Sequence, residues 1–342
     1  MDIDHAHFYV HDAERSRDWF VRTMGFRAIG QQQDLKTQTE ILQTGAVTIR
    51  VSSPRTSSSP VAAYLKQHPP GVADLAFRVT DLEALLERVK RHRVSLLSSS
   101  PSDRHQVTIQ GWGNLRHTLV QSQAKASSAS TTSEAIDSPV DNGPTLLKID
   151  HAVLNVERDQ LQDAIGWYQA VLGFEARDYF NIQTERSALC SQVLVHPEGT
   201  AQFPINEPAS MRSQIQEFLD CNHGPGIQHI ALSTVNITQT VRQLRQRGLS
   251  FLEIPPSYYA QLRQQASSML ELEAIEEQRI LVELQQPSQA LLQTFTQPIF
   301  AQPTFFFEVI ERRLRARGFG ERNFTALFEA IEREQLKRGT LV

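Results

Sequence analysis

The spacing of apolar and polar positions divides the chain into short strands and amphipathic helices, and the same order of elements comes round twice. Residues 3–10 are apolar and β-prone and predict a strand. Residues 12–24 predict a helix that carries Trp19 and Phe20 and stops at Gly25. Strands are predicted at 48–51 and 72–79. Between them, residues 52–60 are polar and loop-like, and a short helix near Tyr64 ends at the Pro69-Pro70-Gly71 turn. Asp81 is placed to cap a helix over 82–91, where Leu82, Leu85, Leu86 and Val89 recur at helical spacing. Further strands are predicted near 107–109 and 115–120.

Residues 121–144 break the pattern. They are small and polar, without periodicity, and hold too little apolar area to order a core. The elements then restart. Ile149-Asp150-His151-Ala152 parallels Ile3-Asp4-His5-Ala6, and the helix over 163–172, ending at Gly173-Phe174, parallels the one ending at Gly25-Phe26. His223-Gly224-Pro225-Gly226 opens a strand as His68-Pro69-Pro70-Gly71 does, with a helix over 238–247 following as 82–91 did. An internal duplication with a period of about 150 residues accounts for this. Each half reads as two modules of a strand, a helix and further strands. The predicted organisation is an N-terminal domain over 1–122, a flexible linker over 123–146 and a C-terminal domain over 147–342. Near the end, Phe324, Leu327, Phe328 and Ile331 fall at i, i+3, i+4 and i+7, the pattern of a helix laying an aromatic face on a surface.

Composition acts mainly by exclusion. A chain of 342 residues exceeds what one compact core usually serves, which fits two domains. A net charge of −4 offers no basic surplus for nucleic acid. No apolar run approaches the roughly 20 residues that span a bilayer, and the opening residues lack a secretory pattern. No nucleic-acid or membrane partner is expected. Cys190 and Cys221 form neither a CxxC pair nor a disulfide framework, which fits a reducing, cytoplasmic setting.

The candidate chemistry centres on Glu308, a carboxylate set in the apolar run Phe305-Phe306-Phe307-Glu308-Val309-Ile310. Burying that charge is costly unless a cation neutralises it, either a basic side chain or a metal. His151 and His229 lie upstream at nearly equal intervals, each in its own apolar strand-like run, as successive modules would place equivalent ligands. Two imidazoles and one carboxylate suit a non-haem Fe(II) with open positions, and zinc is the alternative on ligand type. The N-terminal half is an internal control. His5 matches His151, Asp74 stands where His229 stands, and 114–120 has no matching Glu. One metal site, in the C-terminal half, is therefore expected, with structural or surface roles for His5 and His7.

Further motifs carry a resemblance. They are Ile149-Asp150-His151 with Asn155-Val156, Pro204-Ile205-Asn206-Glu207-Pro208, Ser213-Gln214-Ile215-Gln216, Gly224-Pro225-Gly226-Ile227-Gln228-His229, Pro255-Pro256-Ser257-Tyr258-Tyr259, Leu291-Leu292-Gln293-Thr294-Phe295-Thr296, Phe306-Phe307-Glu308-Val309-Ile310-Glu311-Arg312, and Gly318-Phe319-Gly320 with Asn323-Phe324. In that order, over about 151–330, the C-terminal half resembles the 4-hydroxyphenylpyruvate dioxygenase family; the N-terminal half matches in fold pattern more than in motif. The resemblance implies an α+β fold of paired βαβββ modules, the vicinal-oxygen-chelate fold. It implies a C-terminal open barrel around a metal, closed by the last helix. It implies one Fe(II) per chain, held by His151, His229 and Glu308. It also implies a substrate pocket drawn from Ser191, Asn206, Gln214, Gln228, Gln293, Phe295, Phe306, Asn323, Phe324 and Phe328, with Gln228, Gln293 and Phe324 in catalytic roles.

The implied reaction converts 4-hydroxyphenylpyruvate and O₂ to homogentisate and CO₂, by oxidative decarboxylation, ring hydroxylation and side-chain migration. The product would enter tyrosine breakdown or prenylquinone synthesis, and the family's habit implies a homodimer or tetramer. Arg322 stands where the family's turn usually has Gly, so a positive φ there would be costly. The alternatives are 4-hydroxymandelate synthase, which hydroxylates the benzylic carbon of the same substrate, a metal-free binding protein of the same fold, and a ring-cleaving extradiol dioxygenase. Pro204, Asn206 and Phe324 favour ring over benzylic hydroxylation.

Overall fold

Each half of the chain folds into an open eight-stranded sheet, and the two sheets have the same strand order. The computed structural model describes residues 1–99, 105–122, 143–184, 186–265, 271–286 and 289–340. The N-terminal half runs β1 (Asp2–Tyr9), α1 (Ala13–Trp19), β2 (Arg27–Gln33), β3 (Thr37–Thr44), β4 (Val47–Pro54), α2 (Pro60–Leu65), β5 (Gly71–Val79), α3 (Leu82–Arg91), β6 (Leu96–Ser99), β7 (Gln106–Gln110) and β8 (Arg116–Gln121). The C-terminal half repeats the plan as β9 (Ile149–Asn155), α4 (Leu161–Leu172), β10 (Glu175–Gln183), β11 (Ala188–Val195), β12 (Gln202–Pro208), α5 (Gln214–Asn222), β13 (Gly226–Ser233) and α6 (Ile237–Gln246). It then adds α7 (Pro256–Gln265) and α8 (Leu272–Glu277) before β14 (Leu281–Gln286), β15 (Gln289–Phe295) and β16 (Phe306–Arg313), and ends in α9 (Glu321–Arg338). The sheet orders are β2-β3-β4-β1-β5-β8-β7-β6 and β10-β11-β12-β9-β13-β16-β15-β14. The expected α+β fold of paired βαβββ modules is the fold observed.

The local signals act as their chemistry predicts. Asp81 accepts the N–H of Ala84 and caps α3, and Gly25 and Gly173 take left-handed conformations that end the helices before them. The first helix is less regular than its periodicity suggests, closing in a π-helical turn over Phe20–Met24. Residues 27–44, which carry no strong alternation, pair as the β2–β3 hairpin, so tertiary pairing decides their state. Residues 123–142 of the expected linker lie outside the described residues. Its last residue is packed: Leu146 is buried and donates its N–H to the Pro144 carbonyl, and Leu147, which follows it, accepts from Ala46 N–H and donates to the Ser233 carbonyl.

The core lies between the two sheets. Strand residues alternate faces, so Phe307 and Val309 of the last strand, with Phe305 just before it, turn away from Phe306 and Glu308. They pack against the other half, where the Phe8 ring lies 5.0 Å from Phe305 and 6.4 Å from Phe307. One buried apolar cluster therefore holds residues of both halves. The opposite face of the second sheet is left to line a cavity, which α9 covers. No helix among the described residues is long and apolar enough to cross a membrane.

Candidate active site

The second sheet curls around a space of about 600 Å³, lined from β9 to β13, from β15 and β16, and from α5 and α9. Period-2 geometry selects the lining pairs: His151 with Val153, Leu189 with Ser191 and Val193, Pro204 with Asn206, Gln293 with Phe295, and Phe306 with Glu308. Gln228 and His229 are neighbours in sequence, yet both face the cavity. The β9–β13 pairing shifts register between Ile227 and His229, and this bulge re-aims Gln228.

At one end of the cavity, His151, His229 and Glu308 bring ligand atoms within 4.8 Å of one another, all three side chains buried. Glu308 Oε2 lies 3.3 Å from His151 Nε2 and 3.6 Å from His229 Nε2. His151 Nδ1 donates to Asp150 at 2.9 Å, which turns Nε2 inward. Asp150 in turn takes a two-pronged pair from Arg312, Nε at 2.9 Å and Nη2 at 2.7 Å. Burial raises the pKa of Asp150, but its bonds to Arg312 and His151 outweigh that and hold it far below the usual carboxylate range. Burial likewise lowers the pKa of His151, but Glu308 and Asp150 outweigh it and raise it to about 9. Burial, with His151 beside it, pushes His229 well below its ordinary value. His229 lies stacked on Phe306 at 4.8 Å, and its buried Nδ1 has no hydrogen-bond partner.

This donor set fits a metal. A carboxylate buried between two imidazoles calls for a neutralising positive charge, and a divalent cation held by His151, His229 and Glu308 would supply it. The neutral state of His229 is the ligating state. The N-terminal half shows the contrast. Its strand registers put Asp74 at the place of His229 and Thr118 at that of Glu308. There Thr118 donates both its N–H, at 2.9 Å, and its hydroxyl to the Asp74 carboxylate, which is thereby satisfied. His5 is buried and paired with Asp4, and His7 with Ser52.

Glu308 has a further support. Gln293 Nε2 donates to Glu308 Oε1 and to the Phe319 carbonyl, both at 2.9 Å, and Gln293 Oε1 accepts from Asn323 Nδ2 at 2.9 Å. Both ends of this amide are committed, so Gln293 acts through Glu308. Of the residues expected in the pocket, Ser191, Asn206, Gln214, Gln228, Phe295, Phe306, Phe324 and Phe328 line the cavity, as does Gln293. Asn323 does not. It sits behind the wall, donating to Gln293 and accepting from the Tyr258 hydroxyl at 3.2 Å.

The motifs did not single out Val153, Phe180, Ile182, Leu189, Val193, Phe319, Leu327 or Ile331 as lining residues. Alternation from His151 and Ser191 finds Val153, Leu189 and Val193, and the amphipathic face of α9 already contains Leu327 and Ile331. The φ expected to be costly at Arg322 is not adopted. In the Gly318-Phe319-Gly320 turn the left-handed conformation falls on the two glycines, while Arg322 lies in α9 and donates its N–H to Glu283 at 2.9 Å.

Residues 148–278 match a model of the Glyoxalase/Bleomycin resistance protein/Dioxygenase superfamily, and residues 4–109 match a second model of that superfamily. The chain is 35% identical over 339 residues to an uncharacterized protein of Synechocystis, covering 97% of each. It is 36% identical over 371 residues to 4-hydroxyphenylpyruvate dioxygenase of Yarrowia lipolytica, covering 99% of this chain and 93% of that one. A solved structure of a triple mutant of 4-hydroxymandelate synthase from Streptomyces coelicolor superposes with a TM-score of 0.82 at 29% identity, covering 98% of this chain and 99% of that one.

Proposed function

The chain belongs to the 4-hydroxyphenylpyruvate dioxygenase family, and on that premise we propose that it converts 4-hydroxyphenylpyruvate and O₂ to homogentisate and CO₂ with Fe(II) held by His151, His229 and Glu308. The observation that carries this reading is the buried ligand triangle at the end of a cavity walled by aromatic rings. Fe(II) held by these three residues would supply the centre at which a 2-oxo acid and O₂ meet.

The chain's own residues supply the rest. Asp150 fixes the His151 tautomer, Gln293 fixes the Glu308 carboxylate, and stacking on Phe306 fixes the His229 ring. Gln214, Gln228, Asn206 and Ser191 offer neutral donors and acceptors for the acid and phenol ends of the substrate, without a competing charge. Phe295, Phe306, Phe324 and Phe328 pack on the ring and exclude water. Phe180 meets Phe324 edge-on at 5.4 Å and braces it on the cavity wall. Gln228 and Phe324 are the catalytic residues of this reading, touching substrate directly; Gln293 is a positioning residue.

The likeness to 4-hydroxymandelate synthase favours a second reading, benzylic hydroxylation of the same substrate. Pro204, Asn206 and Phe324 on the cavity wall support ring hydroxylation instead. The enzymatic reading is tested by O₂ uptake with 4-hydroxyphenylpyruvate. Uptake is expected to need Fe(II), to vanish on chelation, and to be lost in His229→Ala. Uptake unchanged in His229→Ala removes the proposed iron site.

A further inference from the structure

The loop before the closing helix is tied to the ligand set from two sides. Arg312 grips Asp150 with Nε and Nη2, and its remaining Nη1 donates to the Gly318 carbonyl at 2.8 Å and to Ala316 at 3.4 Å. Through Asp150 it reaches His151. The second tie is the Gln293 amide, which bonds Glu308 and the Phe319 carbonyl together. Between the two ties, the Phe319 ring sits edge-on to His151 at 5.2 Å. Helix α9 starts two residues later, at Glu321, after left-handed Gly318 and Gly320.

The N-terminal half shows which part of this is special. Asp4 there pairs with His5 and is gripped by an arginine, as Asp150 is, but that arginine is Arg78 of β5. Arg78 is about half exposed, and among the described residues the one hydrogen bond of its side chain goes to Asp4. An aspartate–histidine–arginine chain alone therefore belongs to the duplicated fold. Among the described residues, only in the C-terminal half does the arginine also hold the backbone that leads into a closing helix.

We propose that Arg312 is a positioning residue that couples the metal ligands to the closing helix, so that a cation bound by His151, His229 and Glu308 firms the 316–320 loop and orders α9 over the cavity. This rests on the iron reading above. A cation drawn toward His151 Nε2 and Glu308 fixes both side chains. Their partners Asp150 and Gln293 then hold Arg312, Gly318 and Phe319 in one arrangement. Reciprocity requires that closing α9 tighten metal binding by the same factor.

The test is a titration of the full chain with Fe(II) under nitrogen, read by metal affinity and by hydrogen exchange of the α9 amides. In the unsubstituted chain, one iron per chain is expected to slow α9 exchange by about tenfold or more. Arg312→Gln should weaken iron binding by about 10–100-fold and remove most of the slowing even at saturating iron, leaving only what the Gln293–Phe319 tie carries. Arg312→Lys keeps the charge but cannot span Asp150 and Gly318 together, so it should bind iron with a reduced slowing. If Arg312→Gln does not fold, the lysine variant and the unsubstituted chain still decide. Iron binding with no change in α9 exchange overturns the coupling and leaves the iron site standing. Full slowing in either variant overturns it too. No iron binding in the unsubstituted chain overturns the site and the coupling together.

Discussion

Replacing Gln293 with leucine removes three buried hydrogen bonds at once while nearly conserving volume. Glu308 Oε1 and the Phe319 carbonyl each lose a donor, and Asn323 Nδ2 loses its acceptor, all at 2.9 Å in the native arrangement. Gln293, Glu308 and Asn323 are each 2% exposed or less, so water cannot take over without opening the wall. A buried polar group left unpaired costs about 1–3 kcal/mol, more when charged. Taking about 1–2 kcal/mol for each of the three groups gives a loss of roughly 3–6 kcal/mol. That is a large part of the about 5–15 kcal/mol that holds a domain together. The assay is equilibrium urea unfolding of Gln293→Leu, with Gln214→Leu, another amide on the cavity wall, as the comparison. The transition of the C-terminal half should move to much lower urea in the first variant and shift far less in the second. Iron affinity should fall as well, since Glu308 loses its support. A loss below about 1 kcal/mol in Gln293→Leu would refute the view that this amide holds the carboxylate.

Three further outcomes follow from the same geometry. A Cβ on Gly320 would lie 1.8 Å from Gln293 Oε1 and face a φ of 81°, so Gly320→Ala should displace Gln293 and lower both stability and iron affinity; a thermal melt and an iron titration matching the unsubstituted chain would contradict this. Burial holds His117 down at about 4, its ring bonded to the Leu75 carbonyl and the Tyr168 hydroxyl. The unfolded chain therefore takes up the proton first, and stability falls as pH drops from about 6.5 toward 4, by about 2 kcal/mol at pH 5. Urea midpoints at pH 8 and pH 5 should differ less in His117→Asn than in the unsubstituted chain; parallel curves would contradict it. Phe324→Ala removes the ring that Phe180 braces on the cavity wall, so homogentisate formed per O₂ consumed should drop several-fold; an unchanged ratio would mean that this ring does not order the substrate.

The repeat was legible in the sequence because it rests on strong local signals. The Asp-His strand openings, the glycine helix stops and the Asp81 cap all recur or stand out without any tertiary knowledge. The cavity side of Glu308 followed from alternation along an apolar strand. Other features had no such signal. The bulge at Gln228 defeats a period-2 reading, since neighbouring residues then share a face. The β2–β3 hairpin depends on pairing with β4 rather than on its own pattern. Asn323 lies in the same turn as Phe324, yet only the closeness of Gln293 and Tyr258 decides that it faces the wall rather than the cavity. Arg312 stood in plain view at the end of the strand that carries Glu308. Its link to Asp150, far away in sequence, appears only once β9 and β16 flank β13 in one sheet.

Ring hydroxylation with side-chain migration in this pocket is tested most directly by the product of one turnover. The protein is loaded with Fe(II) under nitrogen, mixed with 4-hydroxyphenylpyruvate, exposed to O₂ and analysed by chromatography. Homogentisate is expected, formed in step with the O₂ consumed. 4-Hydroxymandelate as the main product, or no consumption of O₂ by protein shown to hold iron, would contradict it.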